Sequence, residues 1–336
     1  MPAELPLDRR SLLAGAAASG LALSAVARAQ TAAAPAPAPD LKGQAILVTG
    51  ASSGFGRLGA EHWARLGAKV FATMRGLPRP EAEELRRLAR DAKLDLTVLE
   101  LDVLDEDMVN RAVAEAEKQA GRGLDVLANN AGVGITGPVE VQDMEATRLA
   151  FDTNVFGYHR LARAVLPGMR ARKSGHIFAV SSQLGRVIAP FAGHYSATKF
   201  AVEAMFEQLA YEIHPHGIGV TIIEPGGYPT KVWSNRNRYS GELKARAEGR
   251  HTDGYAGVVA RMGTEDGSGR SADPMDVPRA IAGVLAQPAG KRPLRVPVSA
   301  GAVPQLAINK ASAEAQIAML GRSPTLGPIV RAVNGA

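Results

Sequence analysis

Tyr195 and Lys199 stand four residues apart, with Ser182 thirteen positions before the tyrosine and a glycine-rich turn, Thr49 to Gly56, far upstream. Positions i and i+4 share one face of a helix, so a phenol and an ammonium there can point into one cleft. A free tyrosine titrates near 10, too high for an efficient base at neutral pH, and an adjacent cation favours the phenolate. The pair therefore has the chemistry of a proton donor or acceptor at a carbonyl oxygen.

These side chains need a frame, and the hydrophobic pattern supplies one. Short apolar runs at 45–49, 69–73, 94–101, 124–129, 176–181, 217–224 and 292–298 read as strands. Between them, 55–67, 106–120, 146–172 and 276–287 read as helices. Alternation of this kind predicts an α/β fold of the Rossmann type, a doubly wound parallel sheet covered on both faces, in a single domain over 42–298. The first unit is strand, tight turn, helix. Gly50, Gly54 and Gly56 would let the backbone approach a pyrophosphate, which the helix N-terminus would meet with free N–H groups and positive dipole.

In full, the chain resembles the short-chain dehydrogenase/reductase family. The resemblance is carried by the turn 49–56, by Leu101, Asp102 and Val103, by Asn129, Asn130, Ala131 and Gly132, by Asn154 and Ser182, by Tyr195 to Lys199, and by Pro225 to Thr230. It implies an oxidoreductase that moves hydride between a nicotinamide cofactor and a secondary alcohol or ketone. Tyr195 would be the acid/base. Lys199 would also bind the nicotinamide ribose, Ser182 would hold the substrate oxygen, and Asn154 would hold a water in the proton relay. Ser181, next to Ser182, reads as structural, although a swap of the two stays open. Asn154 taken by itself more often reads as a buried amide satisfying backbone.

The same resemblance places the cofactor on Gly50, Ser52, Ser53, Gly54, Phe55, Gly56, Asp102, Val103, Asn130, Ala131, Gly132, Tyr195, Lys199, Pro225, Gly226, Tyr228 and Thr230. Asp102 would cap the adenine pocket, with a helix N-cap as the other reading. Tyr228 is bulkier than the family's usual aliphatic residue. At the end of the second strand an NAD enzyme normally carries a carboxylate for the ribose hydroxyls. Arg75 stands there instead, and Arg57 follows the glycine turn, so the charges favour NADP(H) over NAD. Two solvated surface arginines are the alternative.

The family builds its substrate lid at 228–270. Within it, 231–261 holds seven Lys/Arg against three acids, with Trp233, Tyr239 and Tyr255 interspersed. A basic aromatic lid would suit a planar or acidic substrate, whereas a charge run is more often a solvated face. The extension 299–336 contains a helix at 311–320 and is expected over the active site or a neighbouring subunit. A homodimer or homotetramer is expected. A cofactor-binding sensor or scaffold without turnover is the competing function, because fold alone does not fix activity.

Composition narrows the rest. The 336 residues carry a formal charge of +6, which is too modest and dispersed to imply nucleic-acid binding. Cysteine is absent, so thiol chemistry and disulfides are excluded. The seven histidines form no metal-spaced pair, and no metal site is expected. Residues 1–29 read as a twin-arginine export signal. Arg9 and Arg10 precede an uncharged, alanine-rich stretch, and Ala27-Arg28-Ala29 offers a cleavage site. Residues 30–41 read as an Ala/Pro-rich tether. The expected location is periplasmic, without stable membrane insertion once the signal is removed.

Overall fold

The computed structural model describes residues 39–335; the proposed signal and nearly all of the tether lie outside that range. Seven parallel strands form one sheet: β1 (Ala45–Val48), β2 (Lys69–Met74), β3 (Leu96–Glu100), β4 (Val126–Asn129), β5 (Gly175–Val180), β6 (Ile218–Pro225) and β7 (Arg295–Val298). Their spatial order is β3-β2-β1-β4-β5-β6-β7. The chain winds outward from β1 in one direction, then returns to lay β4 on the other side. That reversal opens a crevice beyond the carboxyl ends of β1 and β4, where doubly wound sheets bind ligands. The predicted fold class is the observed one.

β1 and β4 are buried at every residue, as expected of strands covered on both faces. One face packs under α1 (Gly54–Arg65), α2 (Pro80–Asp91) and, from late in the chain, Asp276–Leu285. Trp63 of α1 fastens the late helix by donating to the Pro278 carbonyl at 3.1 Å. The opposite face packs under α3 (Glu106–Ala120), the helical run that begins at α4 (Met144–Phe151), and the long helix that begins at Tyr195. Asp105 caps α3 and Asp143 caps α4, each accepting from the backbone N–H three residues on.

The helix expected over 146–172 is interrupted. α4 passes into one π-helical turn, Asp152–Phe156, before α5 (Gly157–Arg172) resumes. Asn154 sits in that turn, and single π turns of this kind recur at functional sites. The 19-residue α6 (Tyr195–Ile213) follows β5 and buries Lys199, Glu203 and Glu207, each one turn from the last. Next come α7 (Val232–Arg246), the short α8 (Gly249–Thr252) and α9 (Ala256–Arg261), then α10 (Asp276–Leu285). α7 and the segment after it form a small separate core with Ile135, Val141, Ala146 and Ala150, centred on Leu243 and Met262.

Two boundaries differ from the sequence reading. Leu41, assigned to the tether, is fully buried and bonds through its N–H to the Leu66 carbonyl, because the turn after α1 leaves an apolar slot there. The extension is more helical than expected, with α11 (Gln305–Leu320) and α12 (Gly327–Val333). It docks away from the crevice. Asn309 of α11 donates to both oxygens of the buried Glu224 carboxylate, at 3.0 and 2.7 Å, and Asn334 donates to the Tyr211 hydroxyl at 3.1 Å.

Candidate active site

The crevice is a cavity of about 1140 Å³ that runs from the glycine turn to the lid helix α7. At one end the turn after β1 is closed by hydrogen bonds rather than by side-chain bulk. The Thr49 hydroxyl accepts from the backbone N–H groups of Asn130 and Ala131, both at 3.0 Å, and the Asn130 amide returns a bond to the Thr49 carbonyl at 2.8 Å. β1 and β4 are thus tied at their carboxyl ends. Gly50 adopts φ +70°, and a Cβ there would lie 2.9 Å from the Ala131 Cα. A Cβ on Gly56 would meet the Gly50 carbonyl oxygen at 2.6 Å. The residues fit a dinucleotide, because this cradle leaves backbone and helix N-terminus open to a pyrophosphate.

Gly50, Ser52, Ser53, Gly54, Phe55, Asp102, Val103, Asn130, Ala131 and Gly132 all line the cavity, as do Pro225, Gly226, Tyr228 and Thr230. Gly56 stands behind the turn, where it permits close packing. Tyr228 is almost wholly buried; its ring packs edge-on against Phe55 at 5.3 Å and its hydroxyl meets Asp276 at 3.3 Å. Burial and that carboxylate push the phenol up to about 12. The bulk of Tyr228 is therefore absorbed by packing under the turn.

Arg75 lines the cavity and Arg57 does not. Arg57 turns to the outside of α2, donating to the Glu81 carbonyl at 3.2 Å and standing 4.0 Å from Glu84. Sequence proximity to the turn is misleading here, because side chains near the start of α1 point to different sides of the helix. Arg79 stands on the cavity wall instead, held by Glu81 at 2.9 Å and by a bond to the Arg75 carbonyl at 3.2 Å. That ion pair, led by the hydrogen bond from Arg79, draws the Glu81 carboxyl down to about 2. Arg75 lies 3.8 Å from Asp102 and donates to the Tyr239 hydroxyl of α7 at 2.9 Å. Asp102 is not a helix N-cap, since Asp105 fills that position; Asp102 instead accepts from the Leu104 N–H at 3.1 Å.

At the other end, Ser182, Tyr195 and Lys199 line the cavity together. Tyr195 opens α6 and Lys199 lies one turn on, its ammonium 5.7 Å from the tyrosine ring centroid and donating to the Val180 carbonyl at 2.8 Å. Burial pushes the lysine down to about 8, against the pull of Glu203. Burial also raises the Tyr195 phenol, opposed by the Ser182 hydroxyl and by the Arg236 cation. Arg236 on the lid helix α7 thus adds a positive field at the phenol. Composition alone could not single out Arg236 among the lid cations.

Asn154 is fully buried and does not line the cavity. Its amide exchanges two 2.8 Å bonds with the backbone of Val133 and donates to the Thr198 hydroxyl at 3.0 Å. The side chain thus fastens the segment after β4 to α6. The backbone-satisfying reading describes its side chain. Both serines line the cavity; the Ser181 hydroxyl lies toward Glu203, and that of Ser182 toward the phenol.

The short chain dehydrogenase profile matches residues 44–240, more than half of the chain. The chain belongs to the short-chain dehydrogenase family. It is similar to a 3-ketodihydrosphingosine reductase from Bacteroides thetaiotaomicron, with 40% identity over 194 residues, 58% of this chain and 67% of the relative. It is also similar to human retinol dehydrogenase 8, with 38% identity over 192 residues, 56% of this chain and 60% of the relative. The match to each thus spans about two thirds or less of the relative's length. Among solved structures, a short-chain dehydrogenase from Streptomyces avermitilis aligns with a TM-score of 0.64 and 32% identity, covering 82% of this chain and 96% of its own. Among the described residues of this family member, no group of His, Asp or Glu could hold a metal ion, and no helix is long and apolar enough to cross a membrane.

Proposed function

We propose that the protein is an NADP(H)-preferring oxidoreductase that interconverts a secondary alcohol and its ketone, with Tyr195 as acid/base. The observation that carries this reading is the convergence of Ser182, Tyr195 and Lys199 on one wall of the cavity that also holds the dinucleotide cradle. The nicotinamide would supply or accept the hydride. In reduction, Ser182 holds the carbonyl oxygen and Tyr195 delivers its proton to that oxygen as negative charge develops; in oxidation the phenolate takes the proton back. The raised phenol suits the reductive direction, because the donor stays protonated at neutral pH. The preference for NADP(H) is supported by Arg75 and Arg79 on the cavity wall, Arg75 directly following a strand, β2, whose own residues include no carboxylate.

Tyr195→Phe removes one hydroxyl and almost no volume. It should lower turnover by about 10²–10⁴-fold while nucleotide affinity stays near that of the wild type. Titrating NADPH and NADH into wild type and Arg75→Ala should show a wild-type preference for NADPH that shrinks in the variant. A fully active Phe variant would remove the assigned acid/base, and equal affinities for both nucleotides in the wild type would remove the NADP(H) assignment. The twin arginines of the leader support export of the folded protein to the periplasm. Fractionation of cells carrying Arg9 and Arg10 as lysines tests that location, with retention in the cytoplasm expected.

A further inference from the structure

The lid end of the cavity is lined by Arg236, Arg238, Arg261 and Arg270 against one carboxylate, Glu265. Arg238 is turned away on the exposed side of α7, 3.9 Å from Glu242 and stacked over Tyr239 at 4.5 Å. Arg236 and Arg270 are different. Their guanidinium carbons stand 4.0 and 3.8 Å from the ring centroid of Trp233. Trp233 is itself buried and fixed, since its indole N–H donates to the Tyr228 carbonyl at 2.7 Å. With two guanidinium groups so close to one ring, little aromatic face is left for a planar substrate. The tryptophan acts as a rigid support that aims two cations.

Arg236 runs along the wall between lid and catalytic helix; a Cβ on Gly134 would lie 3.4 Å from its Cδ. One side of its fork is paired with Glu265, which is mostly exposed, while its buried Nε has no hydrogen-bond partner. A guanidinium offers five donors in a planar fork, and an unused buried donor is costly. Two cations held against one indole also repel, and Arg270 together with burial lowers the affinity of Arg236 for its own proton. An anion bound at Arg236 would pair that free donor and offset the repulsion.

We propose that Arg236 and Arg270, braced by Trp233, form a subsite for an oxyanion, a carboxylate or a phosphate, carried by the substrate at the lid end of the cavity. The inference rests on the reading of Tyr195 as the reacting end of the same cavity, and it makes the substrate an oxo acid or oxo phosphate, or the corresponding alcohol. Planar bidentate recognition suits such groups.

The test uses the full protein loaded with NADPH and three matched pairs: 4-oxopentanoate with its methyl ester, 3-oxohexanoate with its methyl ester, and dihydroxyacetone phosphate with dihydroxyacetone. Calorimetric affinity and turnover are measured for each. At least one anion should bind about 10–100-fold more tightly than its neutral partner, as charge-assisted bonds imply. That ratio should collapse in Arg236→Gln and Arg270→Gln and be partly kept in Arg236→Lys. NADPH affinity in each variant reports that it is folded. The carboxylate and phosphate pairs separate the two anion chemistries. Equal affinity of anion and neutral partner in every pair, or a ratio untouched by both Gln variants, overturns the subsite. Selective anion binding without turnover of any ketone or alcohol would keep the subsite and instead sink the oxidoreductase reading.

Discussion

At the scale of single residues, the Tyr195 phenol answers to burial and to the charges around it. Lys199 is pushed down to about 8 by burial, while the phenol is pushed up by burial and held back by Ser182 and Arg236. Removing a cation makes a phenolate harder to form, so the Tyr195 pKa should rise further in Arg236→Gln. Oxidation of an alcohol needs the phenolate. Its rate rises with pH through that pKa, and in the variant the rising limb should move to higher pH. Reduction needs the protonated phenol, so its falling limb should move the same way. Rate profiles against pH in both directions, on an uncharged substrate, check this; a limb that stays in place would show that Arg236 does not act on the phenol.

Elements set the distances that residues exploit. β1 and β4 are locked at their carboxyl ends by Thr49 and Asn130, and α1 can begin so close to them only because Gly56 has no side chain. A methyl at 56 would sit 2.6 Å from the Gly50 oxygen and 2.5 Å from the Asn130 amide, and the former is backbone that cannot swing aside. Gly56→Ala should therefore push α1 off the turn and lower nucleotide affinity by about tenfold or more, with a stability loss of about 1–3 kcal/mol for overpacking. Nucleotide titration and denaturant melts measure the two effects. The interrupted helix belongs to this scale as well. The π turn at 152–156 does not show in an apolar pattern that reads as one long helix.

Over the whole molecule, a buried ionic cluster joins parts that are far apart in the chain. Arg295 of β7 meets Glu203 at 2.9 Å and Glu207 at 2.6 Å on α6, and Glu224 of β6 at 3.6 Å, while Asn309 of the extension closes over Glu224. Three acids crowd one arginine. Burial and the neighbouring Glu203 push Glu224 up to about 7, well above its ordinary value. A carboxyl raised in the folded state binds a proton that the unfolded chain releases, so its contribution to stability is full below about 4.5 and is lost as pH rises toward 7. Glu224→Gln keeps the shape without the charge. Between pH 5 and 8 the variant should lose less stability than the wild type, as read from thermal melts, with about 2–4 °C expected per kcal/mol. Parallel melting curves across that range would count against the raised carboxyl.

The sequence by itself determined the fold class, the family resemblance and most of the cavity wall. Those features are written in local signals: apolar runs bounded by glycine, and a phenol and an ammonium one helical turn apart. Tertiary structure decided what depends on direction. Arg57 follows the glycine turn in sequence yet faces outward, while Arg79 reaches the wall from the start of α2. Ser181 and Ser182 are indistinguishable as neighbours, and alternation along the end of β5 sends one toward Glu203 and the other toward Tyr195. Asn154 turned out to spend its amide on Val133 and Thr198, and Arg236 emerged from a run of similar cations only because Trp233 stacks against it. Residue spacing along one helix or strand fixes which side chains share a face. Which of those faces meet across the cavity depends on packing between elements tens of residues apart, and no local pattern encodes it.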